Sequence, residues 1–404
     1  MDPKILFPFA VNKHREKIIA FDTTHAWGYQ SGEVEYIDLS LGSCGCLPLG
    51  FKRKDFFVTV QKELEGFSFL SGEFLTTNNY VVELAEKLYE LSNGYRSVFT
   101  VSGSDAIETA IKTAKHFQRN TRPLIVGFEN SYHGSTYLSS SISGATYLHE
   151  TYGRDANCRT VPWDLDAVEQ LINQYPSQIS CLVVESCSWQ AGLHTFDSAW
   201  WQRLQTLCRH NGILFIIDDI AFCGGKTGRF FGFENNIQPD MICVGKALSG
   251  GYYPLSACLV SEDIYNVVKE TRYFHGFTYS FNMSGILSTL HYLKVLENEN
   301  VYDQYQHIKK EATTMFDKIT IHKCIRNIRT YGSTWCLDIN SGMLTDEDIS
   351  ELFLNNGLYL GIWNSSPSYT KHVLIHLPNI FDQDYFTQLE HRLNIVLEQL
   401  SDKL

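Results

Sequence analysis

Five short stretches in the middle of the chain are almost continuously apolar: Leu124–Phe128, Cys181–Glu185, Ile213–Ile217, Met241–Val244 and Leu255–Val260. Runs of this length without polar alternation are what strands look like when a parallel sheet buries both of their faces. Between them the period changes. Ile107, Ala110, Ile111 and Ala114 recur at i, i+3, i+4 and i+7, which is one face of a helix. Trp200, Leu204 and Leu207 repeat that spacing and run into Asn211-Gly212, a helix stop. Strand–helix–strand alternation predicts an α/β fold with helices on both faces of the sheet. The flanking segments are patterned differently, and Tyr36–Leu39 and Ser333–Leu337 read as hairpin-like strands. The organisation expected is residues 1–55 as the N-terminal segment of a small domain, 56–300 as a large domain, and 301–404 as the C-terminal small domain.

Composition narrows this picture. With 404 residues, 44% of them hydrophobic and 19% charged, the chain is too apolar to be disordered and long enough for a large core. No run approaches the roughly 20 apolar residues of a membrane helix. The net charge of −12 argues against a nucleic-acid binder, while leaving room for a local phosphate pocket. Eleven cysteines cannot all pair within one chain, and the apolar stretch in Met1–Ala10 is too short for a signal peptide. Free thiols in a reducing cytoplasm are the simplest expectation. Cys44-Gly-Cys46 has no second Cys/His pair at zinc-site spacing, so no metal is expected there.

Ligands of such sheets sit beyond the carboxyl ends of the strands, so the strand ends carry the candidate chemistry. Val98–Val101 runs into Ser102-Gly103-Ser104-Asp105, which opens the amphipathic helix. Free N–H groups, a hydroxyl and a glycine that admits close approach would cradle a phosphate; an ordinary Ser/Asp helix cap fits the same residues. Ile217 is followed by Asp218 and Asp219. An acid at the end of so apolar a strand needs a positive partner, either a protonated cofactor ring or another side chain. Met241–Val244 leads into Gly245-Lys246 and a glycine-rich turn. Apolar surroundings would lower the pKa of such a lysine and make it a nucleophile, unless its stem snorkels to solvent. Together the three are the parts that a pyridoxal-phosphate enzyme needs.

In these motifs the chain resembles the class III aminotransferases, of the fold-type-I pyridoxal-phosphate superfamily. The resemblance covers about Tyr36 to Val301 and continues more weakly to the end. It rests on Ser102–Asp105, Tyr132-His133-Gly134, Glu185 through Gly192, Asp218 through Gly228, Pro239 through Gly251, and His275 through Asn282. It implies a large domain with a mostly parallel sheet flanked by helices, and a small α+β domain made from both chain ends. It implies pyridoxal 5'-phosphate held by Lys246 as a Schiff base, with Lys246 also shuttling the proton. Asp218 would pair with the ring nitrogen, Tyr132 and Ile220 would bracket the ring, and Ser102, Gly103 and Ser104 would bind the phosphate. His133 and Glu185 would also belong to the cofactor site. Thr278 would complete the phosphate site of a neighbouring subunit, which implies a homodimer. Within the family the motifs are nearest to diaminopelargonate and omega-amino acid aminotransferases. The implied reaction moves an amino group between an amine or amino acid and an aldehyde or keto acceptor. Aminomutase, racemase and decarboxylase chemistry would use the same parts.

The departures concern the substrate. Many relatives clamp a carboxylate with an arginine just before an L-P or P-P segment, and here His372–Pro378 has none. A second family arginine would fall near Gly361 and is also absent. The family's R-T-G is here Lys226-Thr-Gly. A pocket not built for a standard α-keto acid pair is expected, with Glu185 free to meet a cationic group. Lys371, His376 and Arg272 are the candidates for a replacement anion site.

Overall fold

The computed structural model of the chain describes residues 19–72, 75–233, 236–360 and 370–404, with positions 4, 5 and 8. The N-terminal part forms an antiparallel meander of β1 (Thr23–His25), β2 (Gly28–Ser31) and β3 (Val34–Asp38). The middle of the chain supplies β4 (Arg96–Thr100), β5 (Leu124–Phe128), β6 (Cys158–Val161), β7 (Ile179–Glu185), β8 (Leu214–Asp218), β9 (Met241–Val244) and β10 (Ser256–Val260). These make one sheet in the order β4-β10-β9-β8-β7-β5-β6. β5 to β9 run parallel, but β10 lies antiparallel to both β4 and β9. The C-terminal part adds β11 (Ile325–Tyr331), β12 (Thr334–Asn340), β13 (Leu358–Tyr359) and β14 (Thr370–His376). β11, β12 and β14 form an antiparallel sheet, while β13 pairs parallel to β3 and lays the C-terminal part of the chain against the N-terminal meander.

The continuous apolar runs have a direct physical explanation. Successive side chains of a strand point to opposite faces, and here both faces are covered. Val126, Leu182, Phe215, Ile217 and Ile242 enter one core, beside Trp201 and Leu204 of the helix Ser198–His210. Ile125, Val183, Ile216 and Cys243 enter another, beside Ile107, Ala110, Ile111 and Ala114 of the helix Gly103–Phe117. Each fully buried Val, Leu or Ile contributes about 1.5–3 kcal/mol to holding these layers together. The helix Ser198–His210 stops at Asn211, and Gly212 takes the left-handed φ of +61° that the sequence pattern implied. All eleven cysteines are unpaired, and no described helix is long and apolar enough to cross a membrane.

Candidate active site

The parallel strands end side by side. In the β7–β8 register Glu185 is the partner of Asp218, so two carboxylates stand at the same edge of the sheet. Both are buried. Asp218 Oδ1 accepts the N–H of Ile220 at 3.1 Å, and Oδ2 lies 2.8 Å from His133 Nδ1. Glu185 Oε2 accepts from Ser188 Oγ at 3.0 Å and from the Tyr132 N–H at 3.4 Å, while Oε1 has no partner among the described residues. Burial, helped by the charge of Asp218, pushes the Glu185 carboxyl well above its usual range. Asp219 points elsewhere. It accepts from Ser186 Oγ and the Gly232 N–H, and burial raises its pKa to about 7.

Lys246 follows β9 at a φ of +46°, a left-handed conformation that is costly for a residue with a Cβ. It opens a short 3₁₀ turn, Lys246–Ser249, closed by Gly250 at φ +68°. Its Nζ reaches a cavity of about 190 Å³ that Asp218, His133 and Glu185 also line. Gly103, Ser104 and Gly134 form another part of the wall. There the helix Gly103–Phe117 begins, with its free N–H groups and positive dipole end. A Cβ on Gly134 would lie 2.4 Å from Ser104 Oγ, so this backbone approach needs glycine. Tyr132, Trp189, Ile220 and Ala221 complete the lining.

Of the residues singled out in the sequence, Gly103, Ser104, Tyr132, His133, Glu185, Asp218, Ile220 and Lys246 therefore share one cavity. Ser102 stands just outside it. Its hydroxyl accepts the Asp105 N–H at 3.2 Å in a capping box, the ordinary-cap reading of that motif. Thr278 is exposed and does not line the cavity of its own chain. None of the proposed replacement anion groups lines it either. Lys371 Nζ pairs with Asp346 at 2.7 Å, and Arg272 stacks on Phe274 at 5.4 Å. His376 is buried, bonded to Thr334, and held well below its usual range by burial and by Lys226 and Lys246. The position near Gly361 lies outside the described residues.

One expectation about charge is reversed. Burial does act to lower the Lys246 amine, but Cys44, Cys46, Asp218 and Tyr132 around it outweigh that effect, and its pKa is raised. The lysine with a depressed pKa is Lys226, fully buried and lowered to about 8, chiefly by burial. Its ammonium donates to the carbonyls of Ala221 at 2.6 Å and Cys44 at 3.1 Å, joining the cavity wall to the loop after β3. This coupling, across 182 positions for Cys44, has no signal in the sequence beyond the lysine that replaces the family's arginine. Between about pH 8 and the ordinary value of 10.5 the unfolded chain holds a proton that folded Lys226 has released, so stability rises with pH over that window. Lys226→Met should lack that rise when thermal midpoints are followed from pH 8 upward; parallel curves would contradict it.

The residues present fit pyridoxal phosphate. A helix start suits its phosphate, a buried carboxylate suits its ring nitrogen, and His133 Nε2 and Glu185 Oε1 are buried polar atoms at the same cavity without partners among the described residues. The comparisons with known proteins agree with that fit. The adenosylmethionine-8-amino-7-oxononanoate aminotransferase of Anoxybacillus flavithermus is 29% identical over 303 residues, covering 67% of this chain and 65% of that protein. The gamma aminobutyrate transaminase 3 of Solanum lycopersicum is 27% identical, covering 75% of this chain and 65% of that protein. The chain thus spans about 65% of the length of each of these relatives. A solved transaminase from the marine bacterium Virgibacillus shares the fold at a TM-score of 0.92, with 19% identity, covering 99% of this chain and 98% of that one. The pattern of the family Aminotransferase class-III matches residues 10–384. This chain belongs to the class-III aminotransferase family.

Proposed function

We propose that the chain is a pyridoxal-phosphate-dependent aminotransferase, moving an amino group between an amine or amino acid and an aldehyde or keto acceptor. The observation that carries this reading is the meeting of Lys246, Asp218 and the helix start at Gly103–Ser104 around one cavity. When bound, the cofactor supplies an aldehyde for the amine and a protonated ring that draws electron density from the carbon bearing it. Lys246 would hold that aldehyde. Its Nζ, once free, would carry the proton between the donor's amine-bearing carbon and the cofactor's C4′. Asp218 would keep the ring nitrogen protonated, and His133 Nδ1 fixes the carboxylate's orientation. Gly103 and Ser104 would take the phosphate beside Ser102, with Tyr132 and Ile220 against the ring and Glu185 near it. Thr278 would reach the phosphate of a second copy, in a homodimer. The unpaired cysteines support a cytoplasmic setting. No arginine is among the described lining residues, which supports a substrate other than a standard α-keto acid pair.

Loading with the cofactor should itself depend on pH. Capture of an aldehyde needs the neutral amine, and the raised pKa of Lys246 leaves little of it at neutrality. The loading rate should climb toward about tenfold per pH unit from about pH 7 to about pH 9; a flat or falling profile would contradict this. The function itself is tested by incubating the loaded protein with a panel of amines and carbonyl acceptors. Transfer of nitrogen with ping-pong kinetics is expected. A racemised or decarboxylated product that keeps its nitrogen would overturn the reading, and strong turnover of glutamate with 2-oxoglutarate would overturn the altered pocket.

A further inference from the structure

We propose that Trp189 sets the size of substituent the site accepts on the reacting carbon, and that Arg329, acting through Gly192, is the positioning residue that holds it there. The inference rests on the aminotransferase reading of Lys246. Trp189 lines the cavity and is 4% exposed. Its ring centroid is 5.4 Å from Lys246 Nζ, and it meets Tyr132 edge to face at 5.7 Å. The reaction takes place where Nζ stands. Carbon atoms pack at about 3.5–4 Å, so a wall at that distance leaves room on its side for little more than one carbon.

A wall discriminates only if it cannot swing away. Trp189 sits in a loop tied at its base, where Ser188 and His194 exchange two backbone hydrogen bonds of 3.0 Å. The Gly192 N–H closes the turn on the Trp189 carbonyl at 3.1 Å. The tip is clamped from the C-terminal sheet. Arg329 Nε on β11 donates to the Gly192 carbonyl at 2.6 Å. The guanidinium is itself gripped at two points by Asp338 on β12, with Nη2 2.7 Å from Oδ1. His372 Nδ1 on β14 lies 2.7 Å from the same Oδ1. Gly192 has φ +73°, and a Cβ there would lie 2.5 Å from Arg329 Nη2, so the loop tip and the clamp fit only with glycine. Cys336, Asp338 and His372 bring potential metal ligands within 4.8 Å of one another, but Arg329 already occupies both Asp338 oxygens. The cluster is therefore a clamp and not a cation site. Wall and clamp lie 140 positions apart in the chain, Trp189 against Arg329, and only the fold joins them.

The test uses the full chain loaded with pyridoxal phosphate and donor alone, following loss of the bound cofactor's absorbance band. Three matched pairs differ by one ethyl group on the reacting carbon: benzylamine and 1-phenylpropylamine, butylamine and 3-aminohexane, and 4-aminobutanoate and 4-aminohexanoate. The wild type should favour the unbranched member by about 100-fold, the scale on which a packed pocket rejects extra carbon. Trp189→Ala should cut that ratio at least about tenfold, Trp189→Phe less, and Arg329→Gln should lower it without touching the cavity. A ratio unchanged in Trp189→Ala overturns the proposal, as does an Arg329→Gln variant that slows both members equally. If Trp189→Ala fails to hold the cofactor, the Trp189→Phe ratio decides, a shift toward the branched member supporting the wall and an unchanged ratio overturning it. Failure of the wild type to respond to any donor overturns the aminotransferase reading itself, and this inference with it.

Discussion

Lys246→Ala should lower amino transfer by on the order of 10⁴-fold or more, because one side chain is asked to do two things. It would hold the cofactor, and its amine would move the proton that the reaction must relocate. Among the described residues no second amine lines the cavity. Lys226 is the easier lysine to deprotonate, but it lies outside the cavity lining and spends its hydrogen bonds on two carbonyls. Borohydride reduction of the loaded wild type should therefore attach the cofactor to the peptide containing Lys246, and the variant should give no such adduct. A label on Lys226, or activity within about tenfold of wild type, would contradict the assignment. The fold should survive the change, since alanine tolerates the left-handed φ of +46° no worse than lysine does.

Asp218→Asn should separate stability from catalysis. The carboxylate is 5% exposed, and its Oδ2 lies 2.8 Å from His133 Nδ1. Asparagine's single carbonyl oxygen still accepts the Ile220 N–H, and its amide N–H would donate to a His133 Nδ1 that carries no proton, so the pair stays hydrogen-bonded and the cofactor-free protein should be about as stable as wild type. With the cofactor the outcome differs, because the ring nitrogen loses the charge that keeps its proton. A fall in kcat of about 10²–10³-fold is expected, the usual scale for one lost electrostatic partner at a reacting centre. Thermal midpoints with and without pyridoxal phosphate check the first half, and single-turnover rates check the second. A variant equally destabilised in both forms, with kcat unchanged, would make Asp218 merely structural.

Much of this was legible in the residues. The runs Leu124–Phe128 and Met241–Val244 coincide with β5 and β9, because a strand covered on both faces has no polar positions to blur its ends. The same property hid the direction of β10: an antiparallel strand buried on both faces, with Cys258 opposite Cys243, reads like a parallel one. Asp218 and Lys246 could be singled out because ligands gather at strand ends and the strands were visible, whereas Glu185 came with the family resemblance; the fold brings all three to one cavity. What escaped depends on contacts between distant parts of the chain. Trp189 lay in plain sight between Glu185 and Gly192, but its place over Lys246 comes from the Arg329 clamp 137 positions from Gly192. Lys371, His376 and Arg272 were the candidates for a replacement anion site, yet none of these side chains lines the cavity. The pKa order of the two lysines followed from their neighbours, which a local apolar pattern does not reveal.

The most direct test of the account is the fate of the amine nitrogen. Protein loaded with pyridoxal phosphate is mixed with a ¹⁵N-labelled amine and no acceptor, and the released cofactor is weighed by mass spectrometry. Pyridoxamine phosphate carrying ¹⁵N is expected in amounts approaching one per site, and none from Lys246→Ala. Recovery of unlabelled pyridoxal phosphate alone, with the donor consumed or racemised, would contradict it.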